Sequence, residues 1–240
     1  MIKTIIIERT TLNKIIRTAI KENRFLLNEV ESKSLMKSFN IPVVKTELAQ
    51  NVTEAKRIAK KMSFPLVMKI VSNDISHKSD VGGVILGINN LKEVESNYNS
   101  MLAKIKKINS EANISGISLQ PMIEGGVELV AGVTRDKQFG PVLMFGLGGV
   151  FIEFMKDVSF KLIPLRKKDA KKMIGEIKSK EILNGARGFP KVNILNLEKI
   201  LLDLSKFVEA NPEIEEVDLN PIIANEKTII AVDARIVLRK

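Results

Sequence analysis

Three oxygen-bearing side chains near the C-terminus could hold a metal ion. Asp218 and Asn220 lie in the run IEEVDLNPIIA, Asp233 lies in KTIIAVDARIVL, and Asn225-Glu226 separates the two. A two-residue turn at Asn225-Glu226 predicts a hairpin in which Asp218 faces Asp233 and Asn220 faces Ala231. Alternation along the strands then puts Asp218, Asn220 and Asp233 on one face, within roughly 5 to 8 Å of one another at Cβ. Two carboxylates and an amide oxygen suit Mg²⁺, which takes one or two carboxylates and completes its octahedron with water and phosphate oxygens. A solvated hairpin face is the competing reading. Against it stand Val217, Leu219, Ile222, Val232 and Ala234, which surround the polar atoms. Pro221 could introduce a bulge and shift the register.

Lys69 sits inside FPLVMKIVS, an apolar run of the kind that forms a strand buried on both faces. A buried ammonium is costly unless it meets an anion, although a snorkelling edge-strand lysine is the commoner case. Directly after it comes SNDISHKSDVGG, a polar loop closed by two glycines, which resembles a phosphate cradle. That loop carries His77, whose imidazole nitrogen can attack phosphorus and form a covalent phosphohistidine; a surface histidine with no role competes with this reading. Further on, QPMIEGGVEL offers a strand edge at Gln120, exposed backbone near Met122 and a carboxylate at Glu128, a set that could hold adenine and ribose. GxxxxGK[ST] is absent, and GLGGVF fails GxGxxG at its last position, so neither a Walker nor a Rossmann nucleotide site is supported.

Composition narrows the chemistry further. The chain has 240 residues, 45% apolar and 28% charged, with no Cys and a single His. Thiolate nucleophiles, zinc ribbons, iron-sulfur clusters and multi-histidine metal sites are thereby excluded. A net charge of +10 suits anionic partners, whether phosphates, nucleotides, an acidic protein surface or nucleic acid. No apolar run reaches the ~18 residues of a membrane helix, and the start lacks a secretory cleavage site, so the expected address is cytoplasmic with no membrane partner.

The elements that must position these residues follow from periodicity and punctuation. Asn28 and Glu31 form a capping-box pattern for a helix ending near Asn40, ahead of a strand over 41–49. Thr53 is expected to cap a helix over 54–62; strands follow at 66–72 and 84–88, and Leu91 to Ile108 is helix-periodic. From Ile114 four strand-like runs come close together. Asp169 is expected to cap a basic helix, ILNGARGFP reads as a short helix and loop, and Leu195 to Glu209 as an amphipathic helix. The pattern is α+β in two lobes, divided near residue 115.

Taken together, KIVSNDISHKSDVGGV, GVTRDKQFGPVLMFGLGGVF, ARG at 186–188, EVDLNPIIA and AVDARI resemble the ATP-grasp beta subunit of ADP-forming acetyl-CoA synthetase, also called acyl-CoA synthetase (NDP-forming), over residues 24 to 238. The resemblance implies an α+β ATP-grasp fold with the nucleotide between two lobes: an N-terminal extension over 1–23, a lobe over 24–115 carrying the phosphohistidine loop, and a lobe over 116–240 carrying the Mg²⁺ site. It implies ATP/ADP and Mg²⁺ as cofactors and the reversible reaction acyl-CoA + phosphate + ADP = carboxylate + CoA + ATP. A CoA-binding alpha subunit would be the partner, in an α₂β₂ heterotetramer. His77 would be the phosphohistidine and Asp218 would face its ring. Lys69, Gln120, Met122, Glu128, Gly148 and Gly149 would hold the nucleotide, with Gly146, Arg135 and Arg187 as further phosphate contacts, and Asn220 and Asp233 would hold Mg²⁺. Two alternatives compete: an ATP-grasp carboxylate ligase that makes an acyl phosphate directly, and a basic nucleic-acid-binding module built on RKKDAKK at 166–172. The second is disfavoured because that cluster has no interleaved aromatics, so no nucleic acid is expected as a partner.

Overall fold

The computed structural model describes residues 14–72, 74–75, 78–149 and 157–240. The chain divides into two compact units, one of Val44–Ile123 and one made of the chain up to Val43 together with Glu124–Lys240.

In the unit Val44–Ile123, four antiparallel strands run in the order β1-β4-β2-β3: β1 (Glu47–Ala49), β2 (Leu66–Ser72), β3 (Val84–Ile88) and β4 (Ile114–Pro121). The helices Val52–Ala59 and Leu91–Ile108 cover one face. Leu66, Met68 and Ile70 of β2 alternate toward that face and meet Ile117 and Leu119 of β4. The long helix answers with Val94, Tyr98, Met101 and Ile105, spaced to form one stripe. Asn51 caps the first helix, its side chain accepting from the Glu54 N–H at 2.9 Å, and Asn90 caps the second. Thr53, expected as the cap, is the second residue of the helix, because Asn51 already holds the extended backbone that a cap requires.

The other unit holds six strands in the order β10-β8-β5-β6-β7, with β9 paired to β8: β5 (Val127–Asp136), β6 (Gly140–Leu147), β7 (Val158–Leu162), β8 (Ile214–Ala224), β9 (Ile229–Ala231) and β10 (Arg235–Leu238). Leu129, Ala131 and Val133, Leu143, Phe145 and Leu147, and Val217 and Leu219 form the buried face. Against this core pack the helices Glu29–Ser38, Lys167–Glu176 and Ile194–Ala210, the last through Leu197, Leu201, Leu204 and Val208. Phe39 and Phe207 meet edge to face with centroids 5.0 Å apart. The Asn28–Glu31 capping box is complete, with bonds of 2.9 Å in both directions. Asp169, expected as a cap, sits instead at the third helical position and accepts from the Arg166 N–H at 3.0 Å.

The division differs from a linear split near residue 115. Strand β4 lies between β1 and β2 and so belongs with the unit Val44–Ile123, while residues 24–43 join the larger unit: Leu27, Leu35, Met36 and Ile41 are in its core. Ile16 and Ala19, in the stretch expected to be an extension, are buried in the same core. The strand expected over 41–49 is confined to Glu47–Ala49, with one isolated bridge from Val43 to Ala231. Among the described residues no helix is long and apolar enough to cross a membrane.

Candidate functional site

Strand β2 of the smaller unit is flanked on both sides, and its Lys69 lies opposite Ser118 on β4 and Val84 on β3. Lys69, Ser118 and Gln120 share the sheet face opposite the helices and are 5%, 1% and 1% exposed. A lysine on a strand interior, opposite a serine, is a different environment from a snorkelling edge lysine. Gln120 is likewise interior, opposite Val67, and not at a strand edge; its Oε1 accepts from Thr46 Oγ1 at 3.0 Å, which orients the amide. The Met122 N–H donates to Pro65 O at 2.8 Å, so of its two backbone groups only the carbonyl is left for a ligand, narrower than the exposed backbone expected there.

The loop that follows β2 closes in a turn. Gly83 N–H donates to Lys78 O at 2.7 Å, and Ile70 N–H donates to Gly83 O at 2.8 Å. A Cβ on Gly83 would stand 2.5 Å from Ile70 Cγ2, which explains the glycine at the end of the loop. His77 itself lies outside the described residues.

In the larger unit, Glu128 near the start of β5 and Gly148-Gly149 after β6 are brought together. Gly148 N–H donates to Glu128 O at 2.7 Å, continuing the β5–β6 pairing. What Gly148 offers a ligand is therefore bare backbone surface and not its N–H. Gly149 has φ +58°, and a Cβ there would stand 2.9 Å from Glu128 Oε2. The absence of side chains at 148 and 149 leaves the Glu128 carboxylate approachable. Gly146 serves packing: a Cβ there would stand 2.5 Å from Asp157 O.

The closing strands carry the acidic set in a register shifted from the expected one. Arg235 lies opposite Asp218, and Ile222 opposite Ala231. The cause is the turn, which spans Asn225 to Thr228. Asn225 Oδ1 accepts from the Lys227 and Thr228 N–H groups at 2.9 and 2.8 Å, and Asn225 N–H donates to Thr228 O at 2.7 Å. Val217 and Leu219 on β8 and Ala234 and Ile236 at β10 face the core, which leaves Asp218, Asn220 and Asp233 on the opposite side. The β5–β8 ladder is irregular opposite Asn220-Pro221, between Leu129 and Ala131.

Electrostatics mark this face as a place for positive charge. Burial pushes the Asp218 carboxyl above its ordinary value, Glu216 and Asp233 push it further, and Arg235 opposes them. Asp233 Oδ1 accepts from the Ala234 N–H at 2.9 Å, which holds one oxygen of that carboxylate. Among the described residues no three His, Cys, Asp or Glu side chains converge on a metal position. Two carboxylates and an amide oxygen do share the face, and that donor set fits Mg²⁺ when phosphate oxygens supply other ligands.

Sequence reasoning overlooked Thr46, Ser118 and Arg235. Thr46 and Ser118 carry no motif, and only β-sheet pairing places them by Gln120 and Lys69. Arg235 stands in the AVDARI motif, and the correct register alone would have put it opposite Asp218. Arg135, a candidate anion contact, uses its Nε–H on Ile214 O at 2.6 Å and so ties β5 to β8. Arg187 is exposed in a short 3₁₀ turn with φ 56°.

Known proteins share this fold and sequence. The ATP-grasp domain family matches residues 18–238. The chain is 44% identical over 225 residues to the acetate–CoA ligase [ADP-forming] I subunit beta of Pyrococcus furiosus, covering 94% of this chain and 97% of that one. It is 40% identical to the corresponding II subunit beta of the same organism, with the same coverage. Among solved structures, the dinucleotide-forming acetyl-coenzyme A synthetase 1 of Ca. Korarchaeum cryptofilum, in complex with coenzyme A, Ca-AMPCP and HgCl+, superposes with a TM-score of 0.92 at 42% identity, covering 95% of this chain and 99% of that one. The same protein with coenzyme A and Mg-AMPPCP, its phosphohistidine segment pointing towards the nucleotide-binding site, superposes with a TM-score of 0.84 at 40% identity, covering 95% and 100%. An α+β ATP-grasp domain over nearly its whole length, the chain belongs to the ATP-grasp family of ADP-forming acetate–CoA ligase beta subunits.

Proposed function

We propose that this chain is the nucleotide-binding beta subunit of an ADP-forming acetate or acyl-CoA ligase, working with a CoA-binding alpha subunit in an α₂β₂ assembly in the cytoplasm. The overall reaction is acyl-CoA + phosphate + ADP = carboxylate + CoA + ATP. The observation that carries the reading is the shared open face of β5, β8 and β10, where Glu128 beside Gly149 and the set Asp218, Asn220 and Asp233 occur on one sheet. Its support from outside is the 44% identity to a beta subunit of that ligase.

The alpha subunit forms an acyl phosphate and takes its phosphoryl group onto its own histidine. His77 then attacks that phosphorus: an N–P bond forms on His77 as the one on alpha breaks. In the second transfer a β-phosphate oxygen of ADP attacks, the His77 N–P bond breaks, and ATP results. Asp218 has the role of supporting the positive charge that the His77 imidazole carries while phosphorylated. Glu128 accepts from the ribose hydroxyls, and Gly149 lets the nucleotide backbone approach it. Lys69 neutralises phosphate oxygens, while Gln120 and the Met122 carbonyl receive the base. Asn220 and Asp233 would hold Mg²⁺, which when bound neutralises the charge on the phosphate oxygens in flight. Little else is asked of the protein beyond positioning and charge.

The test is a pull-down with the chain as bait for a CoA-binding partner, followed by an assay of ATP formation from ADP, phosphate and acetyl-CoA. Activity that needs both chains supports the reading. Full activity of a His77→Ala chain in that assay would instead favour a ligase that makes its acyl phosphate directly.

A further inference from the structure

Arg235 has no part in the assignments above, yet its position is unusual. Strand β10 is an edge of the six-stranded sheet, and Arg235 lies directly opposite Asp218, so both side chains leave the same face. Arg235 Nη1 is 2.8 Å from Glu216 Oε1, and the arginine side chain remains 53% exposed. Of the five N–H donors of a guanidinium, that contact uses one. Asp233 is two positions back along the chain, about 7 Å at strand rise, within the reach of an extended arginine.

The charge balance of the face gives this arrangement a consequence. A triphosphate held at Asn220 and Asp233 would stand beside the carboxylates of Asp218, Asp233 and Glu216. Strands β8, β9 and β10 contain one basic residue among them, Arg235. An exposed arginine–glutamate pair contributes little to stability, so opening it is cheap. A guanidinium that leaves Glu216 meets phosphoryl oxygens in a two-pronged geometry that lysine cannot reproduce.

We propose that Arg235 is a ligand of the transferring phosphoryl group, exchanging its contact with Glu216 for phosphoryl oxygens when the terminal phosphate is present. Glu216 then parks the guanidinium between turnovers. The inference rests on the nucleotide-binding reading above and adds a catalytic residue to it. Its signature is discrimination: Arg235 senses the phosphate that ATP has and ADP lacks.

The experiment is calorimetric titration of the full chain with Mg²⁺ and either ADP or a non-hydrolysable ATP analogue, for the unaltered protein and the variants Arg235→Gln, Arg235→Lys and Glu216→Gln. Arg235→Gln is expected to weaken the analogue about 10-fold or more while changing ADP affinity less than about 2-fold. Arg235→Lys should fall between, and Glu216→Gln should leave the analogue as tight or tighter. An unchanged ratio of the two dissociation constants in Arg235→Gln, whether both hold or both weaken, would overturn the proposal and make the residue a structural edge pair. Should Arg235→Gln fail to fold, the Arg235→Lys ratio decides in the same way. If the unaltered chain binds neither ligand, the nucleotide reading falls, and the inference with it.

Discussion

Replacing Gly149 by alanine separates backbone strain from ligand recognition. Gly149 has φ +58°, a conformation that costs an alanine roughly 1 to 2 kcal/mol. In a chain of this size each kcal/mol shifts Tm by roughly 2 to 4 °C, so Gly149→Ala should melt roughly 2 to 8 °C lower. The added Cβ would also stand 2.9 Å from Glu128 Oε2, too close for a carbon and an oxygen, while Glu128 Cδ is 3.9 Å away. The carboxylate must therefore turn aside. If Glu128 accepts from ribose hydroxyls, losing one charge-assisted bond weakens ADP binding about 10-fold. Gly149→Asn divides the two effects, since asparagine tolerates the left-handed region but brings the same Cβ. Calorimetric titration with ADP and a thermal melt should show Asn melting above Ala with both equally weak in binding. ADP affinity unchanged in both variants, and in Glu128→Gln, would refute the ribose assignment. An unchanged Tm in Gly149→Ala would refute the strain argument.

Lys69→Met, close to the same volume, should weaken ATP and ADP roughly 10- to 100-fold with little change in Tm; a large drop in Tm with intact affinity would make the lysine structural. Asp233→Asn should abolish the gain in nucleotide affinity that Mg²⁺ gives the unaltered protein, read by titration with and without EDTA. Burial raises the Asp157 carboxyl, but the Lys178 and Ser179 N–H groups that donate to it at 2.6 and 2.7 Å more than offset this and leave it low. Asp157→Asn should therefore destabilise the fold by about 1 to 3 kcal/mol near neutral pH. The stability that ionised Asp157 contributes is present above the unfolded carboxylate value of about 4 and is lost as pH falls through the lower folded value. Acid titration of the melting point should show the two proteins converging there, and a constant gap would contradict the argument.

Local pattern carried much of this fold and failed at particular places. The bounds of β2, β3, β8 and the helix Leu91–Ile108 follow from periodicity and punctuation, because each run is consistent along its own length. The hairpin register was misread because Asn225-Glu226 looks like a complete turn. The Asn225 side chain instead binds two N–H groups beyond it and makes a four-residue connection. The shared face of Asp218 and Asn220 survived the error, because both precede the irregularity at Pro221 and alternate with the core residues Val217 and Leu219. Gln120 and the unit boundary were misplaced for another reason. Strand β4 pairs with β1 and β2, which lie far back in the chain, and no local signal reports long-range pairing. The buried set Lys69, Ser118 and Gln120 emerges only from that pairing.

The central claim is a phosphoryl group carried on His77, and the chain has no other histidine. The direct measurement is incubation of the purified chain with Mg²⁺ and ATP labelled at the γ-phosphate, followed by acid and base treatment and peptide mapping. The account predicts a label that survives base, is lost in acid, maps to the peptide containing His77 and is absent from His77→Ala. A protein that binds ATP yet takes no such label, or a His77→Ala protein that keeps it, would contradict the account.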